Sequence, residues 1–217
     1  MYFNNQTVAT CSIVIIGALI AAPVFVKGLS RRGTGVKYES NFLIQRAPQL
    51  AILFNLLVMV PSFFVYIGLL NNIPGIVPFL ALTAGQPQGV TSVISWCGVL
   101  VLISGMIFMV GGWYSLGDCF STDAEVLEGQ TVRNTGLLKY VMHPVYSGII
   151  QCLFGASLAA TSLPSALIAL FVVAPFWLRR AKYEENLLME NLGPSYREYA
   201  ESMHWRRLVP RFFPTRL

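Results

Sequence analysis

All fifteen lysines and arginines of this 217-residue chain lie in three segments, 27–46, 133–139 and 179–216. Residues 1–26 and 47–132 hold none. Apolar runs of about 20 residues fill these gaps, long enough to cross the hydrocarbon core of a bilayer. The chain is 55% hydrophobic and 12% charged, roughly half the charge share of a soluble domain. Clustered basic residues that alternate with charge-free runs are the positive-inside pattern of an integral membrane protein. The net charge of +5 therefore marks membrane sidedness rather than a nucleic-acid surface.

The runs predict an all-α helical membrane bundle with about five crossings. Helix one spans Thr7 to Val26 and is stopped by Lys27 and Arg31-Arg32. It is read as a retained signal anchor, because no basic n-region precedes it and Pro23 follows Ala21-Ala22. Helix two spans Ala47 to Leu70, with Pro48 in its first turn and Asn71-Asn72-Ile73-Pro74-Gly75 after it. Residues 71–89 form an uncharged loop, and helix three spans Val90 to Tyr114. Helix four starts at His143-Pro144 and ends near Thr161. Helix five runs from Pro164 to Arg179, with a kink at Pro175. The last two are shorter, about 16–18 residues, or roughly 24–27 Å at 1.5 Å per residue. Five crossings place the N-terminus outside, the C-terminus inside and every charged loop on one side. A re-entrant hairpin of helices four and five would leave the same sides facing the cytoplasm. The chain divides into a three-helix membrane part, 1–115, and a part carrying the chemistry, 116–217. The latter comprises a loop, a helix hairpin and a tail.

Helix four carries Gly148, Cys152 and Ala156 on one face, small residues that let a neighbouring helix approach closely. In the tail, Leu187, Leu188, Leu192, Tyr196 and Tyr199 recur near helical spacing, and Gly193-Pro194 splits them into two short amphipathic helices. Arg206, Arg207, Arg211 and Arg216 interleave with Trp205, Phe212 and Phe213, a composition suited to an anionic lipid surface. Cys11, Cys97, Cys119 and Cys152 form no C-x-x-C pair, and only His143 and His204 offer imidazole. The expectation is buried thiols and no metal site.

Two polar sets interrupt the apolar pattern. One is Gly136-Leu-Leu-Lys-Tyr-Val-Met-His-Pro-Val-Tyr-Ser-Gly148; the other is Arg179-Arg-Ala-Lys-Tyr-Glu-Glu185. The hairpin of helices four and five brings them to the same membrane side. Each residue has an ordinary reading. His143 faces interfacial water, Pro144 fills a first helical position, and Tyr146 belongs to an aromatic belt. Glu184 and Glu185 pair with Arg180 and Lys182. Their combination also suits a small charged ligand. A helix start at His143-Pro144 leaves backbone N–H groups open to an anion. Glu184 or Glu185 can take an ammonium group. Tyr146, Tyr183 and Trp113 offer faces to a sulfonium or an adenine. Both carboxylates cannot face one pocket equally, since neighbours on a helix differ by about 100°. Glu185 is expected to be the ammonium ligand, with Glu184 held by Arg180 one turn earlier. No G-x-G-x-x-G follows a strand, so a soluble dinucleotide-type domain is not expected.

The order of these motifs resembles the isoprenylcysteine carboxyl methyltransferase and phospholipid methyltransferase family. The resemblance runs from Leu116-Gly117 through Gly136, Tyr140, His143-Pro144-Val145-Tyr146-Ser147-Gly148, Glu184-Glu185, Leu188, Gly193, Tyr196 and Tyr199 to Arg207 and Pro210. It implies an integral-membrane enzyme that takes a methyl group from S-adenosylmethionine. By the resemblance, His143, Pro144, Tyr146, Gly148, Glu184 and Glu185 hold that cofactor, and Arg207 lies near the pocket as a catalytic candidate; Tyr183 joins the cofactor set as an aromatic face. The family's Arg before His-Pro is Met142 here. Met cannot bind a carboxylate. Lys139 or Arg133 then supplies the charge, or the acceptor needs none.

The implied partners are a lipophilic or lipid-anchored acceptor and membrane lipids, with no nucleic acid. The acceptor is a prenylcysteine carboxylate, a lipid amine or a similar group. The alternatives are a small-thiol methyltransferase, a nicotinamide-dependent membrane reductase of related architecture, and a non-catalytic membrane scaffold. The expected location is a prokaryotic cytoplasmic membrane, or the endoplasmic reticulum membrane in a eukaryote.

Overall fold

The computed structural model describes residues 5–38, 41–66 and 88–210. Among the described residues the fold is all-α apart from one two-residue antiparallel pair. Helices α1 (Asn5–Ser30), α3 (Ala47–Tyr66), α4 (Gln88–Leu116) and α5 (Pro144–Ala159) are apolar, and a short α2 (Phe42–Gln45) precedes α3. A last helical run comprises α6 (Leu163–Ile168), a π-helical turn (Ala169–Val173) and α7 (Ala174–Leu192); α8 (Pro194–Ser202) follows. Among the described residues, four stretches are long and apolar enough to cross a membrane: Val8–Ser30, Ala47–Phe64, Gly89–Cys119 and Leu163–Leu192. Helix α5 is apolar but has only 16 residues, about 24 Å against a hydrocarbon core of about 30 Å. The expected five crossings thus stand as four long helices and one short one. Large apolar side chains point outward from them, with Leu19 at 71% and Phe171 at 73% exposure. Outward-facing apolar side chains suit lipid as the surrounding solvent. The protein is an integral membrane protein.

The helix-five expectation needs correction. The helix does not end near Arg179 but continues to Leu192, so the first tail helix is its extension. Pro175 has no N–H for the carbonyl of Phe171. The widened turn just before it absorbs that loss within a continuous helical run. Termination comes at Gly193, whose φ of 57° is open to glycine. The expected loop 71–89 and the residues Arg211, Phe212, Phe213 and Arg216 lie wholly or largely outside the described residues.

The chain forms two compact units. One comprises Met1–Gly17, Gln49–Met106 and Ile149–Pro175. Its helices approach at glycines: a Cβ on Gly155 would meet the Leu102 backbone at 2.5 Å, and one on Gly98 would meet that of Ala159 at 2.3 Å. Cys152 packs on Gly105 in the same interface. Buried hydroxyls and one amide donate hydrogen bonds there. Asn55 donates to the Ser165 carbonyl at 2.7 Å, Ser62 to Ser162 Oγ at 2.7 Å, and Ser95 to the Ala159 carbonyl at 2.8 Å. In an apolar solvent such groups must find partners inside the protein.

The other unit comprises Ala18–Pro48, Ile107–Gly148 and Phe176–Leu217. Its loops are tied by charge. Lys27 and Arg31 both contact Asp118, at 2.6 Å each. The Glu125 carboxylate accepts from the backbone of Gly33 at 3.1 Å and Gly35 at 2.8 Å. This anchors β1 (Lys37–Tyr38) to β2 (Glu125–Val126), with Lys37 opposite Val126. Gln45 and Ala124 exchange two hydrogen bonds at 2.9 Å.

Candidate active site

The His-Pro segment is fixed from both sides. Before it, Gly136 turns at φ 54° against Ser115, where a Cβ would sit 2.3 Å from the hydroxyl oxygen. A 3-10 turn, Gly136–Lys139, leads into it. The tail then lies alongside: Met142 N–H donates to the Arg206 carbonyl at 2.8 Å and His143 N–H to the Arg207 carbonyl at 2.9 Å. Pro144 opens α5, a position where its missing N–H costs nothing.

Six polar side chains meet at this point. The His143 ring stacks on Tyr146 with centroids 5.2 Å apart and planes 3° from parallel. One His143 ring nitrogen lies 3.3 Å from Glu185 Oε1, the other 3.9 Å from Glu184 Oε2. The Tyr146 hydroxyl donates to Glu184 and accepts from Arg180 Nε at 3.1 Å. Arg180 Nε also reaches Glu184 at 3.2 Å. Glu185 is bound by Arg207 through Nε at 2.9 Å and Nη2 at 2.8 Å. Arg180, Glu185 and His143 are all buried. Two carboxylates and two guanidiniums thus balance in a low-dielectric site, where an unpaired charge would be costly.

Arg180 is only partly satisfied. Its Nη2 donates to the Thr122 carbonyl at 2.8 Å. Its Nη1 is buried without a hydrogen-bond partner, as are Trp177 Nε1 and Thr122 Oγ1. Trp177 packs on Tyr146, ring centroids 4.6 Å apart, and Arg180 lies 5.4 Å over the Trp177 ring. One buried cation thus keeps an unused donor of its own beside two further unpartnered polar groups. Beside Glu185 a cleft of about 440 Å³ is lined by Lys182, Glu185, Asn186, Trp205 and Arg207, within the roughly 300–1,000 Å³ of small-molecule sites.

The structure brings His143, Pro144, Tyr146, Glu184, Glu185 and Arg207 together. Gly148 is buried one turn into α5, and Tyr183 is half-buried on α7. Lys139 is exposed at the end of the 3-10 turn. Arg133 is exposed and donates to Cys119 Sγ at 3.4 Å. Trp113 packs between Phe25 at 5.5 Å and Phe120 at 5.7 Å, with tilted rings. Glu184 and Glu185 do not end a helix; they lie inside α7. The amphipathic pattern of the tail helices is packed inward. Tyr196, Tyr199, Ala200 and Met203 are buried in one cluster with Met142, against Leu188, Leu192 and Trp205. Met142 is thus a packing residue. Trp177 and the Thr122 carbonyl were not foreseen. Trp177, Arg180 and Glu184 sit at i, i+3 and i+7, one helical face, and that spacing could have flagged Trp177. No linear signal marks a loop carbonyl.

Residues 97–190 match the isoprenylcysteine carboxyl methyltransferase (ICMT) family. The match bears out the family resemblance over that segment. It includes His143 through Glu185 and stops before Arg207. No curated protein matches the chain.

Proposed function

We propose, from this relationship to a methyltransferase family, that the protein transfers a methyl group from S-adenosylmethionine to a lipophilic acceptor reaching the site from the bilayer. One observation carries the reading: two carboxylates of α7, the buried Glu185 and the half-buried Glu184, converge on His143 and Tyr146 beside a cleft. Bound S-adenosylmethionine supplies an electrophilic methyl group on a sulfonium centre. The chain's residues suit its parts. Glu185 receives the ammonium group, with Glu184 held by Arg180 and Tyr146. The first turn of α5, from Pro144 toward Gly148, favours the carboxylate. Tyr146, Tyr183 and Trp205 offer aromatic faces to the cation or the purine. The unpartnered donors of Arg180 and Trp177 support this fit, because a buried N–H without an acceptor calls for a ligand oxygen.

Catalysis in this reading is positioning. Holding donor and acceptor in line supplies most of the acceleration. Arg180 Nη1 is placed to take an anionic acceptor oxygen in the role that Met142 cannot fill. Lys139 and Arg207 are further catalytic candidates near the His-Pro segment. The part carrying the chemistry is 116–217, with 1–115 as the membrane support. The termini lie N-out and C-in, in a prokaryotic cytoplasmic membrane or, in a eukaryote, the endoplasmic reticulum. The acceptor is a prenylcysteine carboxylate, a lipid amine or a similar group.

Thermal shift of the detergent-solubilised protein tests this. S-adenosylmethionine and S-adenosylhomocysteine should raise the melting temperature in proportion to RT ln(1 + [L]/Kd). A shift with NADPH alone would replace the reading with a membrane reductase. No shift with any of the three would leave a scaffold.

A further inference from the structure

Both oxygens of Glu185 are already engaged: Oε1 faces His143 at 3.3 Å and Oε2 takes two bonds from Arg207. The carboxylate is 2% exposed. An incoming ammonium group therefore cannot reach it while Arg207 stays where it is. We propose that Arg207 is an internal stand-in for the donor's ammonium group, holding Glu185 until the donor displaces it. This rests on the donor reading above.

Three observations support displacement of Arg207 rather than of the other partners. First, the site is electrically balanced as it stands, with Arg180 and Arg207 against Glu184 and Glu185. The donor carries two positive groups and one negative, so its entry adds a net charge. Releasing one guanidinium to water compensates for that addition in a site that tolerates no unpaired charge. Second, only one arginine has a way out. Arg180 is 2% exposed and held by Tyr146, Glu184 and Thr122, whereas Arg207 is 31% exposed. Third, Arg207 has a second partner. Its guanidinium already lies 5.8 Å over the Trp205 ring, a contact at the open side of the cleft that does not depend on Glu185. Both Trp205 and Arg207 line the cleft beside Glu185. The backbone bond from His143 N–H to the Arg207 carbonyl, at 2.9 Å, keeps the strap in place while the side chain swings. A buried carboxylate left uncovered in the empty protein would be costly. The stand-in removes that cost and makes donor affinity the difference between two cations.

Isothermal titration of the full-length protein with two probes tests this. S-adenosylhomocysteine carries the amino-acid head; methylthioadenosine lacks it. Arg207→Met should tighten S-adenosylhomocysteine by about fivefold or more and leave methylthioadenosine unchanged. In a Glu185→Gln background the same replacement should have no effect, because the competition is then gone. If Arg207→Met fails to fold, Arg207→Lys loses the two-pronged grip but keeps a charge, and should tighten binding in the same direction by less. Weaker S-adenosylhomocysteine binding in either variant would make Arg207 a direct donor ligand and overturn the proposal, as would unchanged binding. A wild-type protein that binds neither probe would remove the donor reading and this inference together.

Discussion

Asn55 donates its side-chain N–H to the backbone carbonyl of Ser165 at 2.7 Å, joining α3 to α6 across 110 residues of sequence. Both residues are fully buried. A neighbouring bond from Ser62 to Ser162 repeats the connection one helical stretch further on. Polar bonds between apolar helices are worth about 0.6–2 kcal/mol each. Asn55→Leu should lower stability by that order while leaving donor binding unchanged. Thermal melts in detergent will read it; an unchanged melting temperature would make the bond dispensable.

Tyr146 carries two separable contributions. Its hydroxyl bridges Glu184 and Arg180, and its ring lies between His143 and Trp177. Tyr146→Phe removes only the bridge, a charged hydrogen bond of about 1.5–3 kcal/mol. Part of that loss should appear in titration as S-adenosylhomocysteine affinity weakened by roughly tenfold. Tyr146→Ala should cost more, since the stack goes too. Equal affinities for all three proteins would leave Tyr146 outside the donor site.

Met142 stands where the family has an arginine, and restoring it should harm this protein. The side chain is packed with Tyr196, Tyr199, Ala200 and Met203. Met142→Arg places a guanidinium among them without a carboxylate. The expected loss exceeds about 2 kcal/mol, with no gain in donor affinity. A stable variant with tighter binding would show that the cluster has room for the family's charge.

Alkaline pH should unfasten the same cluster. Burial raises the Tyr196 hydroxyl above its ordinary value of 10.0, with the Glu185 charge adding to it. Burial alone raises Tyr199, whose hydroxyl donates to the Leu138 carbonyl at 2.8 Å. Above pH 10 the unfolded chain loses these protons while the folded one keeps them, so the unfolded state binds fewer protons. Stability is then fully present below pH 10 and falls as pH rises, by up to about 1.4 kcal/mol per unit for each tyrosine. Melting temperatures between pH 8 and 11 should fall above 10. Replacing both tyrosines with Phe should flatten the fall; an unaltered slope would assign the transition to other groups.

What the sequence determined follows from the solvent. A bilayer demands long apolar helices and clustered charge, and both are local properties, so α1, α3 and α4 were legible within a few residues. The polar residues of the site were legible for the same reason, because charge and His-Pro stand out against an apolar background. The helix carrying Glu184 and Glu185 was read too short. Its apolar stretch ends at Arg179, but helical hydrogen bonding does not require apolarity and continues to Leu192. The amphipathic tail was legible as a pattern, yet a pattern does not say what its apolar face covers; that face covers Met142. Only the tertiary structure decided the partners of the charges. Arg207 reaches Glu185 from 22 residues away, and Arg180 reaches a loop carbonyl 58 residues away. Such pairings depend on where the chain returns in space, which residue type and spacing leave open.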